Sequence, residues 1–183
     1  MPLTTSVFIA TSLDGFIARA DGDIDWLNEA NAQVPEGEDC GYARFMATVD
    51  AMVMGRNTFE QVLTFGAWPY GETPVVVLSR SLRALPEGVP ATVSLSAEAP
   101  GELVRRLGAA GLHHLYIDGG ATIRSFLDAG LVDELTITRI PRLLGTGLPL
   151  FGPLKADLRL ELLDSRSYAF GFVQCRYRVV RDA

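Results

Sequence analysis

Four short, almost unbroken apolar runs constrain this chain more than anything else in it. They are Val7-Phe8-Ile9-Ala10, Ala51-Met52-Val53-Met54, Pro74-Val75-Val76-Val77-Leu78 and His114-Leu115-Tyr116-Ile117. Runs this short and this apolar read as strands buried on both faces. Helix-patterned segments separate them. Tyr42, Phe45, Met46 and Val49 recur at helical spacing behind Asp39. Thr58 and Gln61 fit a capping box after Gly55-Arg56-Asn57. Ala97 to Gly108 carries Leu103, Val104 and Leu107 on one side, and Ala121 to Ala129 follows a glycine pair. A further short strand is expected over Thr92 to Leu95. Alternation of this kind predicts an α/β fold with a mainly parallel sheet and helices on both faces.

The C-terminal part breaks the pattern. Leu131 to Ile140 alternates as a strand, with Leu135, Ile137 and Val132 on one face. Pro141 to Pro153 is a glycine- and proline-rich loop, and Asn28 to Glu38 also reads as irregular. Leu158 to Arg166 and Phe170 to Val180 then have no helix between them, so an antiparallel hairpin joined near Tyr168-Ala169 is expected. No repeat or linker interrupts the chain, and one domain over residues 1–183 is the economical reading.

The net charge of −6 argues against general nucleic-acid binding, which needs a basic face. No apolar run is long enough to span a membrane, and Met1 to Ser6 has no basic region of a signal peptide. Cys40 and Cys175 are isolated, so a reducing cytoplasm is the expected compartment. Adjacent His113 and His114 with two scattered cysteines make no zinc site of known spacing, so no metal is expected.

The chemistry gathers where the apolar runs end. In a parallel sheet these ends share one edge, where ligands bind. That edge receives the long loop after Ala10, then Gly55-Arg56, Ser79-Arg80 and Asp118-Gly119-Gly120. Singly, each is an ordinary turn: glycine relieves sterics, Asp39 caps a helix, Trp26 plugs the core. Together, backbone bare of side chains, helix starts and two permanent cations point to a nucleotide or other phosphate-bearing ligand.

Three of these stretches carry a resemblance. Ala10-Thr-Ser-Leu-Asp-Gly-Phe-Ile-Ala18, Val53-Met-Gly-Arg-Asn-Thr-Phe-Glu60 and Ile117-Asp-Gly-Gly-Ala121 resemble the dihydrofolate reductase-like superfamily. With Pro141-Arg-Leu-Leu-Gly-Thr-Gly-Leu-Pro-Leu-Phe151, the chain is similar to stand-alone reductases akin to the C-terminal domain of the bifunctional riboflavin-biosynthesis deaminase–reductase. The resemblance implies an eight-stranded mixed sheet with NADPH at the strand ends, and often a homodimer formed through a strand edge. It implies backbone contacts from Ala10 and Ile17 to the nicotinamide, and phosphate contacts from Gly55, Arg56, Asn57 and Thr58. Leu78, Ser79 and Arg80 would surround the adenosine and its 2′-phosphate. Ile117, Gly119, Gly120, Ala121, Thr122 and Ile123 would underlie the pyrophosphate, with a cis peptide between the two glycines.

Trp26, closing an active-site loop, and Tyr42 would face the substrate. For catalysis the resemblance offers Asp39 as a buried carboxylate partnered by Thr138, and Asp118 as a second acid beside the nicotinamide. The implied activity is hydride transfer from NADPH to a C=N or C=O bond of a small pterin- or aminopyrimidine-like substrate. A non-catalytic NADP-binding module and a true dihydrofolate reductase are the alternatives. Against the latter, Glu72 follows Pro69-Tyr70-Gly71 where folate reductases carry an arginine. Arg139 and Arg142 are the candidate anchors for a substrate phosphate.

Overall fold

The computed structural model describes residues 3–181. In chain order its elements are β1 (Thr4–Ser12), β2 (Phe16–Ala18), α1 (Asp25–Asn31), α2 (Tyr42–Met46), β3 (Ala51–Gly55), α3 (Arg56–Leu63), β4 (Val75–Leu78) and β5 (Val93–Ser96). Then follow α4 (Pro100–Ala109), β6 (His114–Asp118), α5 (Gly120–Asp128), β7 (Glu134–Ile140), β8 (Leu148–Pro149), β9 (Arg159–Ser167) and β10 (Val173–Val180). Eight strands form one sheet in the order β5-β4-β3-β6-β1-β7-β10-β9, and β2 and β8 pair separately. From β5 to β7 all neighbours are parallel, while β10 runs antiparallel to both β7 and β9. The expected hairpin therefore extends the main sheet.

The apolar runs are strands because each is covered twice. On one face Val7, Val53, Ile117 and Leu135 pack with Leu103 and Leu107 of α4 and Ile123, Phe126 and Leu127 of α5. On the other, Met52, Met54, Val75, Val77 and Tyr116 pack with Phe59 of α3 and with Tyr42 and Phe45 of α2. Each such side chain, fully buried, contributes roughly 1.5–3 kcal/mol. A third cluster joins Trp26 and Ala30 to Ile140, Tyr168 and Phe172 beyond the end of β7. No helix among the described residues is long and apolar enough to cross a membrane.

Two local expectations fail. The first part of the stretch read as irregular is helical: α1 starts where Asp25 Oδ1 accepts from Trp26 N at 2.6 Å, and it buries Trp26 and Ala30 one turn apart. The capping box at Thr58 and Gln61 does not form. α3 already begins at Arg56, after the extended Gly55, so Thr58 lies inside the first turn. Gln61 instead donates to the carbonyl of Gly22 at 3.1 Å.

Candidate active site

The carboxyl ends of β1, β3, β4 and β6 open into a cleft of about 1000 Å³. Its floor is made where two neighbouring strands, β3 and β6, each turn into a helix. Gly119 makes the second turn at φ 88° and ψ 131°, a conformation open essentially to glycine alone. A Cβ on Gly119 would overlap the Thr58 side chain, and one on Gly55 would lie 2.8 Å from Thr122 Oγ1. A Cβ on Gly120 would lie 2.6 Å from Ile17 Cδ1. The first turns of α3 and α5 thus meet across bare backbone, with unpaired N–H groups and positive dipole ends turned to one space, an arrangement that suits a diphosphate.

Cations stand at the β3 and β4 side of this floor. Arg56 Nη1 donates to Ser81 Oγ at 3.1 Å, and its Nε lies 3.5 Å from Glu60. Ser79 Oγ accepts from the backbone of Ser81 and Leu82, which fixes the turn that presents Arg80. Arg80 is exposed at the cleft and forms no ion pair among the described residues. Arg124, on the second turn of α5, donates to the Pro149 carbonyl at 2.6 Å and so ties the cleft wall to β8.

Asp118 ends β6 at the other side. Its Oδ1 accepts from Gly119 N at 2.8 Å, and burial pushes its carboxyl up to about 6. Three phenols surround it. Burial, and secondarily the Asp118 charge, push Tyr42 up to about 12. The same two causes, in the same order, raise Tyr70 and Tyr116. Tyr116 OH donates to the Phe8 carbonyl at 2.8 Å, and the Tyr42 ring packs edge-on against Phe8 at 5.6 Å.

The cleft is lined by Ala10, Ile17, Gly55, Arg56, Asn57, Thr58, Leu78, Ser79, Arg80, Asp118, Gly119, Gly120, Ala121 and Thr122, all singled out in the sequence. Ile117 and Ile123 are instead fully buried core residues behind the floor. Trp26 is also fully buried, in the third cluster rather than facing a substrate, and its Nε1 has no partner among the described residues. Asp39 is not a buried carboxylate. It is exposed, and it caps α2, accepting from Ala43 N and Gly41 N at 2.8 Å each; these bonds hold its carboxyl below the usual range. Thr138 is partnered by Gln174 Nε2 at 2.9 Å, not by Asp39. The Gly119–Gly120 bond is trans; the positive φ of Gly119 makes the turn.

Tyr70, Arg124 and Gln174 were missed. The Pro-Tyr-Gly turn was a visible signal for Tyr70; nothing in the sequence says that Gln174 reaches both Thr138 and the Cys40 carbonyl. Asp14 was missed too. Its carboxylate accepts from Ser12 Oγ at 2.6 Å and from the backbone of Leu144 and Gly145, clasping the loop after β7 to the loop after β1.

Residues 4–173 match the model of the RibD C-terminal domain. A Bacillus subtilis (strain 168) protein, YwjB, is 35% identical over 171 residues, covering 92% of this chain and 94% of that one. A solved structure from Shewanella sp. PV-4, assigned to riboflavin biosynthesis, is 42% identical with a TM-score of 0.91, covering 98% of this chain and all of that one. Two more distant structures share the fold. The diaminohydroxyphosphoribosylaminopyrimidine deaminase/5-amino-6-(5-phosphoribosylamino)uracil reductase of Thermotoga maritima is 16% identical with a TM-score of 0.71, and 98% of this chain covers 57% of it. The dihydrofolate reductase of Enterococcus faecalis, solved with NADP(H), is 18% identical with a TM-score of 0.65 over 97% of both chains.

Proposed function

The chain belongs to the RibD C-terminal domain family, and from there we propose that it is an NADPH-dependent reductase of a small pterin- or aminopyrimidine-like substrate. The observation that carries this reading is the glycine-floored meeting of the α3 and α5 N-termini beside an unpaired Arg80. The cofactor fits what is present. Gly55 to Thr58 and Gly119 to Thr122 would hold the diphosphate on backbone N–H groups. Leu78, Ser79 and Arg80, with Arg56, would take the adenosine and a 2′-phosphate, which favours NADPH over NADH. Backbone at Ala10 and Ile17 would orient the nicotinamide. When bound, NADPH supplies the hydride that leaves C4 for the carbon of a substrate C=N or C=O bond.

The chain's own task is then the proton. Asp118, held near 6 by burial, keeps part of its population protonated close to neutrality, the condition for a general acid. It delivers that proton to the substrate nitrogen or oxygen and recovers it from solvent after release. Thermal denaturation tests the cofactor assignment. NADPH at a hundredfold excess over its dissociation constant is expected to add about 2.7 kcal/mol, with a smaller gain from NADH. Arg80→Ala is expected to erase the difference. Equal shifts from the two cofactors in the unaltered protein would sink the assignment.

We also propose that the β9–β10 face pairs with a second copy of the chain. Leu160, Leu162, Val173, Cys175, Tyr177 and Val179 share one face there, and register sends every charged residue of the two strands to the other. Leu160, Leu162 and Val173 remain exposed on it. Such an apolar patch, with Arg139 of β7 beside Val173 at its border, suits an isologous contact.

A further inference from the structure

Among the described residues, the face of the sheet that carries Asp118 has no free cation to offer a phosphate. Strand register places Ala10, Tyr116, Asp118 and Thr138 on that face and turns Arg139 to the opposite one. Arg142 is engaged, with Nη1 2.7 Å from Glu29 and 3.4 Å from the Trp26 carbonyl. Arg176 is paired with Glu134 at 2.7 Å and Arg178 with Glu161 at 3.1 Å. Arg166 lies over the Tyr168 ring with Glu38 3.9 Å away. Arg44 is exposed two positions from the inward Tyr42 on α2, so it points away from the sheet. His114 sits at the far end of β6, bonded to Ser6 and Thr48.

What this face does offer is a carboxylate and rings. Asp118 accepts one bond, from Gly119, and its second oxygen has no partner among the described residues. No cation compensates it; Tyr42, Tyr70 and Tyr116 stand around it. A flat ring bearing N–H donors satisfies that oxygen in the ionised carboxylate and packs on Tyr70, the phenol that lines the cleft. A phosphate monoester brings about two negative charges to a site with an uncompensated carboxylate, and gains no counter-charge. The cleft's cations without an ion pair among the described residues, Arg80 and Arg124, stand at the end of β4 and on α5.

Resting on the reductase reading above, we infer that this chain takes an amino-heterocycle without a phosphate ester, donating to Asp118. It thereby departs from the Thermotoga reductase, whose substrate carries a phosphoribosyl group.

The test is calorimetric titration of the NADP⁺-loaded protein with 5-amino-6-(5-phosphoribosylamino)uracil and with the same compound after phosphatase treatment, followed by NADPH turnover with each. The phosphate-free compound is expected to bind about tenfold tighter or better, with a matching advantage in kcat/KM. Asp118→Asn is expected to shrink the binding preference to within about threefold. Equal or tighter binding of the phosphorylated compound overturns the inference, as does binding of neither. Failure of NADP⁺ itself to bind would instead count against the reductase reading.

Discussion

Asp118→Asn should stabilise the protein while abolishing the proton delivery assigned to it. Asparagine keeps the shape and the acceptor for Gly119 N–H but carries no charge to bury. The native carboxyl is pushed from 3.8 to about 6 by burial. The unfolded chain therefore loses this proton near 3.8, while the folded chain holds it until about 6. Between those values the folded state binds more protons, so its stability falls as pH rises through the window. That displacement of the carboxyl corresponds to about 3 kcal/mol at most. Urea denaturation at pH 8 is expected to find Asp118→Asn about 2–3 kcal/mol more stable than the unaltered protein, and the gain should fade as pH approaches 4. Asp14, Asp39, Asp50 and Glu98 are shifted down and titrate in both proteins alike, so only the difference between them reports on residue 118. A difference that does not change with pH, or a variant less stable at pH 8, would refute the argument that a half-buried, uncompensated charge sits at the cleft.

Other consequences are as direct. Gly119→Ala forces a β-carbon into a positive-φ position and against Thr58, so a loss of about 1–3 kcal/mol from backbone strain is expected, with weaker NADPH binding. Adding Thr58→Ala should recover only the steric part, which a double-mutant cycle in urea will separate. Asp39→Ala removes the α2 cap and should cost about 0.5–2 kcal/mol while leaving turnover intact; loss of turnover would restore Asp39 to the catalytic role that its exposure argues against. Leu162→Asp should convert the paired species to a monomer in light scattering, with NADPH binding retained.

The central strands were legible because double-sided burial writes itself as unbroken apolar runs, and those runs located the cleft edge and part of its lining. The failures have physical causes. The resemblance implied a buried Asp39, but Cys40 at φ 53° and Gly41 at φ 82° swing the backbone so that its carboxylate meets the N–H groups of α2, as the local capping pattern had it. α1 buries only Trp26 and Ala30, too few positions to show a helical period. The pairing of Arg142 with Glu29, across 113 residues, decides whether a cation is free and leaves no trace in local pattern.

The strand order carries a consequence for how the protein is made. β6 is inserted between β1 and β3, so the first two long strands to be synthesised never touch each other. The neighbouring turns that form the cleft floor belong to β3 and β6, whose sequence separation runs through β4, β5 and α4. Contacts of such long range close late, because loop entropy is lost before they form. A growing chain therefore acquires its cleft floor only when residues 114–122 dock. Cofactor capture during refolding should lag behind the formation of helix, and it marks the moment when the sheet is complete.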